Sequence, residues 1–135
     1  MIPKFRAWWI QDEVITHIDT LEFLQGGIRV SDGCWHEKFL GDEVILMQST
    51  GFKDKNGTEI FVGDIVIHTQ KSINYGDVYH NDYAEVFQQQ NGAYRIRGKH
   101  IYEMDAFCNR KRLEVVGNIF ENVELLDHDS FTTEK

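Results

Sequence analysis

Two cysteines and six histidines are the first candidates for chemistry in this chain. Cys34 and His36 are two positions apart, so they share one face if this segment is a strand. Cys108 and His100 could complete a tetrahedral zinc site with them. The spacing matches no standard zinc finger or zinc ribbon, however, and we therefore predict that the chain holds no metal and no cofactor.

An acid/base set is a second chemical interpretation, because His80, Asp82 and Asp77 occur together in a polar segment. Six histidines in a chain of 135 residues often fall beside an acid by chance. The chain also lacks the Gly-x-Ser-x-Gly elbow, the Gly-x-x-x-x-Gly-Lys-Ser/Thr phosphate loop and the dinucleotide-binding Gly-x-Gly-x-x-Gly. We therefore predict no catalytic residues and a protein that is not an enzyme.

The segment from Asp54 to Thr58 alternates like the first three ligands of a calcium loop. Such a loop needs glycine at its sixth position and glutamate at its twelfth, where this chain has Glu59 and Ile65. The dipeptide Asn56-Gly57 instead favours a type I′ hairpin turn, in which both residues adopt positive φ. We predict a hairpin turn here and no calcium site.

A basic segment, residues 94–112, is the strongest candidate for a binding face. It holds six lysines and arginines against two acids, whereas the whole chain has a net charge of −8. The cations could bind phosphate groups beside an aromatic ring that stacks on a base. Alternatively, they neutralise the acidic residues of 113–135, within one subunit or across a subunit contact, and the net charge favours this second interpretation. The residues of the candidate face are Arg95, Arg97, Lys99, Tyr102, Arg110, Lys111 and Arg112.

The composition predicts a cytoplasmic globule. A hydrophobic content of 41% is ample for one full core in a chain of this size. No apolar stretch approaches the roughly 20 residues that cross a bilayer, and the N-terminus has no apolar signal-peptide core. We expect free cysteines and no membrane partner.

Short strands dominate the predicted secondary structure, since apolar and polar residues alternate over much of the chain. Residues 4–9 and 14–18 predict an N-terminal hairpin, and a run of about five strands begins at Val44. Residues 70–82 predict a long polar loop, and residues 120–126 a terminal turn. The predicted organisation of this mainly-β fold is an N-terminal β-hairpin satellite subdomain at 1–43, a small barrel at 44–126 and a polar tail at 127–135.

Two blocks of sequence carry a specific resemblance to a known family. Residues 46–66 read LMQSTGFKDKNGTEIFVGDIV, residues 115–126 read VVGNIFENVELL, and Phe5-Arg6-Ala7-Trp8 adds a shorter match. Together they resemble the YopX-like proteins of bacteriophages and prophages. The resemblance implies that the barrel is SH3-like and that the protein acts in the cytoplasm of a host bacterium. It implies no functional residues.

We therefore predict a phage or prophage accessory protein that acts as a non-enzymatic protein-interaction module. Its partner would be an unidentified host or phage protein. The alternative is a nucleic-acid-binding protein that uses the basic segment 94–112, which the net charge disfavours. Edge strands and segregated charge also favour a homo-oligomer.

Overall fold

The computed structural model describes residues 4–32, 37–39 and 43–134. Strands make up most of this part of the chain, together with two short 3-10 helices at Arg110–Arg112 and Val123–Asp127. The prediction of a mainly-β fold is confirmed. No helix among the described residues is long and apolar enough to cross a membrane. The chain divides into two compact units, residues 1–49 and 50–135.

The first unit consists of short antiparallel strands. β1 lies between β2 and the beginning of β6, and the predicted hairpin joins β1 to β2. β3, β4 and β5 form a separate antiparallel sheet. Alternation along β1 buries Ala7 and Trp9, which pack with Val30 and Val44. The strands are β1 (Phe5–Trp9), β2 (Val14–His17), β3 (Thr20–Leu24), β4 (Gly27–Ser31), β5 (Glu37–Phe39) and β6 (Val44–Lys53).

The second unit is built on one curled sheet. Its strand order is β11-β10-β9-β8-β12, and all its pairs are antiparallel. The long β9 pairs with β8 along one edge, while its other edge pairs with β13 at one end and β10 at the other. The strands are β7 (Glu59–Phe61), β8 (Asp64–Lys71), β9 (Val78–Gln88), β10 (Tyr94–Gly98), β11 (Ile101–Asp105), β12 (Leu113–Asn118) and β13 (Phe131–Glu134).

The core of the second unit lies on one face of this sheet. Val66 of β8 stands opposite Ala84 of β9, and Val86 stands opposite Ile96 of β10. All four side chains are fully buried. Because the side chains of each strand alternate between faces, the residues between these positions point away from this core.

The element boundaries differ from the predicted ones at three places. β6 is continuous from Val44 to Lys53, and the division of the chain at residues 49 and 50 falls within this strand. The predicted loop at 70–82 shrinks to residues 72–77, since β8 and β9 extend into it. The predicted polar tail contains β13. The assignment of the second unit to the SH3-like barrels stays a prediction.

Candidate functional site

The arginines of β10, from the predicted binding face, are engaged within the second unit. Arg97 Nε donates to Glu85 Oε1 at 3.1 Å, and its guanidinium carbon lies 4.2 Å from the centroid of the Phe87 ring. Arg95 donates to the main-chain oxygen of Glu103 at 2.8 Å. Both arginines therefore bridge neighbouring strands of the sheet.

Two further cations of the predicted face also have partners. Lys99 Nζ donates to Asp129 Oδ1 at 3.0 Å and to the main-chain oxygen of Asp127 at 3.3 Å. The hydrogen bond from Lys99 and its charge lower the pKa of Asp129. Arg110 donates to the main-chain oxygen of Phe107 at 2.8 Å, and its guanidinium carbon lies 4.0 Å from the centroid of the Phe107 ring. Lys99 thus neutralises an acid of the C-terminal stretch, in line with the second interpretation of the basic segment.

The rest of the predicted face is divided. Tyr102 lies on β11 and is 96% exposed. Lys111 and Arg112 belong to the 3-10 helix that precedes β12, at the opposite end of the strand order. Lys111 and Arg112 line a cleft whose lining does not include Tyr102.

This cleft, with a volume of about 390 Å³, gathers cations from three separate parts of the chain. Lys55 comes from the turn between β6 and β7, and Lys71 from the end of β8. Lys111 and Arg112 complete the set, which we name the cationic cleft. Its other lining residues are Thr69, Gln70 and Tyr79.

Backbone pairing explains why these cations meet. Tyr79 of β9 stands opposite Lys71 in the β8–β9 ladder. Leu113, the residue after the two helical cations, stands opposite His68 of β8. The Lys55 amide donates to the main-chain oxygen of Leu113 at 3.0 Å and so fixes the β6–β7 turn beside the start of β12.

No acidic residue lines the cationic cleft among the residues that the structure describes. Lys55 Nζ lies 4.0 Å from Glu114 Oε2, at the limit of an ion pair. Within the described part of the chain, the side chains of Lys71, Lys111 and Arg112 form no hydrogen bond or ion pair. Three of the four cations are therefore held together without a counterion among the described residues, and because like charges repel one another the cleft favours an anion.

His68 lies close to the cleft but adds no charge to it at neutral pH. The side chain is 4% exposed, and burial is the main cause that lowers its pKa. A hydrogen bond with Asn109 raises the pKa, while the charge of Arg112 lowers it further. Nε2 has no hydrogen-bond partner within the described residues. Arg112 therefore faces a neutral imidazole rather than a second cation.

A second pocket, of about 430 Å³, adjoins the cationic cleft and shares Lys55, Thr69 and Tyr79 with it. Ile67 of β8 and Phe131 of β13 supply apolar surface, and we name this the apolar pocket. Glu114 and Glu134 also line it. The two cavities thus adjoin through three shared residues, and we call them together the groove.

Two acids of the first sequence block, Asp54 and Asp64, accept hydrogen bonds from main-chain amides and do not line the groove. Asp54 is 7% exposed, and its Oδ1 accepts from the amides of Asn56 and Thr58 at 2.9 Å. Its Oδ2 accepts from the amide of Val115 at 2.8 Å. Asp64 is fully buried and accepts from the amide of Phe61 at 2.8 Å.

The second sequence block has a similar structural role. Asn118 Oδ1 accepts from the amides of Phe120 and Glu121 at 3.0 and 2.9 Å, which closes the turn after β12. A Cβ at Gly117 would lie 2.3 Å from Asn122 Oδ1, so only glycine fits there. The second block is therefore tightly packed, and its Asn118 side chain accepts hydrogen bonds from main-chain amides.

The remaining candidates for chemistry are dispersed. Cys34 and His36 lie outside the described residues, and Cys108 is exposed. No group of three or more histidine, cysteine, aspartate or glutamate residues in the described part could hold a metal ion. His80 and Asp82 lie on β9, but Asp82 accepts a hydrogen bond from Ser130 and Asp77 lies in the preceding turn. The absence of catalytic residues stays a prediction.

Fold and surface together define a small all-β protein with an exposed cationic cleft. The family model described as YopX protein matches residues 4–127, so the chain belongs to the YopX family. The family resemblance predicted from the sequence blocks is confirmed.

A solved structure supports the fold. The crystal structure of protein EF1440 from Enterococcus faecalis is similar, with a TM-score of 0.60 and 24% sequence identity. The match covers 93% of this chain and 99% of that chain. No curated protein matches the sequence. The likeness at this identity concerns the fold alone.

Proposed function

We propose that this YopX-family chain is a non-enzymatic accessory protein of a phage or prophage in the cytoplasm of the host bacterium. It engages a partner protein by binding an acidic segment of that protein in the cationic cleft. The convergence of Lys55, Lys71, Lys111 and Arg112, with no acid in the cleft lining, carries this proposal. The curled sheet of the second unit supports its assignment as an SH3-like barrel.

The charge distribution favours an acidic peptide segment over nucleic acid. The chain carries a net charge of −8, which repels a long polyanion as a whole. Screening limits electrostatic interactions to about 8 Å at physiological salt, so a short segment in the cleft is governed by the nearby cations. A volume of about 390 Å³ accommodates a few side chains rather than a duplex.

The use of the family-block residues supports a non-enzymatic role. The buried carboxylates of Asp54 and Asp64 accept hydrogen bonds from main-chain amides. Carboxylates held in this way stabilise turns and are not exposed to a substrate.

The alternative, nucleic-acid binding by residues 94–112, is less well supported by the contacts. Arg95, Arg97, Lys99 and Arg110 all have partners within the second unit. A phosphate would have to displace these contacts.

A charge-reversal pair tests the site. We expect Lys71→Glu combined with Lys111→Glu to weaken partner binding by at least about tenfold, because two charge contacts to the acidic segment become repulsive. The matched control is Arg97→Glu with Lys99→Glu, which reverses the same number of charges on the predicted basic face. Partners captured from host lysate are identified by mass spectrometry, and the affinity of the purified partner is then measured by calorimetry.

The outcomes separate the two candidate functions. Loss of the partner in the first variant and its retention in the control support the cationic cleft. A partner retained by the first variant contradicts the proposal. Recovery of nucleic acid that only the control variant loses would establish the alternative.

A further inference from the structure

The groove formed by the cationic cleft and the apolar pocket places two kinds of surface at a defined separation. Lys71, Thr69 and Ile67 occupy alternate positions of β8 and therefore lie on one face of the strand. Strand residues rise by about 3.4 Å each, so the Cα atoms of Lys71 and Ile67 are roughly 13 Å apart. An extended peptide of about four residues spans the same distance.

The apolar pocket offers a partly enclosed surface for a hydrophobic side chain. Ile67 is half-buried, and Phe131 on its far wall is 38% exposed. The Phe131 ring also packs on Tyr83, with centroids 5.8 Å apart, which fixes its position. Asn81 supports this wall, because its Nδ2 donates to the main-chain oxygen of Phe131 at 3.3 Å and to Thr133 Oγ1 at 3.1 Å.

Charge varies along the groove as well as polarity. The cationic cleft has no acid in its described lining, whereas Glu114 and Glu134 line the apolar pocket. These carboxylates repel an acidic ligand from the apolar pocket and restrict its anionic groups to the cationic cleft.

We propose that the groove binds one extended segment of two-part composition. Acidic side chains contact the cationic cleft, and an apolar side chain about four residues away enters the apolar pocket. This inference rests on the proposed function and specifies the partner sequence that the site selects. The apolar residue supplies affinity that salt does not screen, while the acidic residues determine position and encounter rate.

The test uses synthetic 12-residue peptides of glycine and serine that carry three consecutive glutamates. One carries a phenylalanine four positions after the last glutamate, another has it four positions before the first, and a third has it directly adjacent. The control peptide has serine in its place. We expect one of the two four-residue spacings to bind about fivefold to tenfold tighter than the serine peptide, since a partly buried aromatic ring gains transfer free energy. The adjacent arrangement should gain less.

Two protein variants assign each part of the groove. Lys71→Glu should weaken every glutamate peptide, whereas Ile67→Thr should reduce the phenylalanine gain and leave the serine peptide unchanged. Circular dichroism and thermal melting confirm that both variants are folded, and the peptide series itself requires no change to the protein.

The results distinguish failure of this inference from failure of the proposed function. Equal affinities for the phenylalanine and serine peptides, with both sensitive to Lys71→Glu, would overturn the two-part ligand alone. Absence of binding by every glutamate peptide would overturn the proposed function as well. Tighter binding of a 12-nucleotide single-stranded oligonucleotide that displaces the peptides would replace the protein partner with nucleic acid.

Discussion

At the scale of single residues, Asp54 connects local and distant parts of the second unit. Its carboxylate accepts from two amides of its own turn and from the amide of Val115, 61 positions away. The side chain is nearly buried, so water cannot replace it as an acceptor for all three amides. Its contribution to stability is accordingly large for one residue.

We expect Asp54→Ala to lower the free energy of unfolding by about 3 kcal/mol, because buried amides are left without an acceptor. Urea denaturation followed by tryptophan fluorescence measures the change. The exposed neighbour Lys53 provides a control, and Lys53→Ala should change the free energy of unfolding by less than about 0.5 kcal/mol. A loss below about 1 kcal/mol for Asp54→Ala would contradict the structural role assigned to its carboxylate.

The same turn shows what local sequence could predict. Asn56-Gly57 correctly predicts a hairpin, but the type I′ geometry is wrong because only Gly57 has positive φ, at 84°. The Asp54 side chain accepts from the amide two residues on, and the glycine follows as the one residue in the left-handed region. Local propensity gives the turn, whereas the side-chain contact determines its type.

At the scale of elements, β13 is a strand held in place by one neighbour. Its four residues are exposed, and among the described strands it pairs only with β9. The family match ends at residue 127, before this strand begins. β13 therefore covers an edge of β9 that the family-matched part of the chain leaves open.

Truncation after Asp127 should leave the fold intact and open this edge. We expect backbone amides in residues 78–81 that face β13 to exchange at least about tenfold faster, because their hydrogen bonds are lost. Residues 85–88 of the same strand remain paired with β10 and provide an internal control. Hydrogen exchange followed by mass spectrometry measures both segments, and equal protection of 78–81 with and without β13 would refute the pairing.

Two of the strands missed from sequence share one property. Strands β11 and β13 carry exposed side chains at adjacent positions, Tyr102 with Glu103 and all of 131–134. Neither strand therefore shows a regular alternation of apolar and polar residues that could be detected. The hairpin of β1 and β2 was predictable because alternate residues of β1 are buried.

At the scale of the whole molecule, the homo-oligomer stays a prediction, and the structure changes which charges would mediate it. Arg97 and Lys99 already have partners within one subunit. The cationic cleft is then the available basic surface for acids of a second copy. We expect a mass above 15.8 kDa at low salt and dissociation near 1 M salt, where screening shortens to about 3 Å.

Light scattering of the concentrated protein measures this mass. Lys71→Glu with Lys111→Glu should weaken the oligomer at low salt, while Arg97→Glu with Lys99→Glu should not. A mass of 15.8 kDa at both salt concentrations would reject self-association.

Only two of the four cations in the cationic cleft could be predicted from the sequence. Lys111 and Arg112 stand in an obvious basic run, but Lys55 and Lys71 are isolated in their own segments. The pairing of β12 with β8 and the hydrogen bond from the Lys55 amide bring the four cations together. These are tertiary contacts, which local sequence does not reveal. Four of the six cations in the basic run have partners within the second unit, and these contacts could not be read from the sequence either.

The topology that assembles the cleft also sets when it forms. β8, β9, β10 and β11 are joined in chain order by short connections, so they can pair through local contacts alone. β12 instead returns across the chain to β8, and such distant closures come late because they fix long loops. Since Lys111 and Arg112 reach Lys71 only when β12 docks, we expect a growing chain on the ribosome to lack the cationic cleft until the segment with β12 has emerged. Under the proposed function, partner binding is then restricted to chains in which β12 has docked.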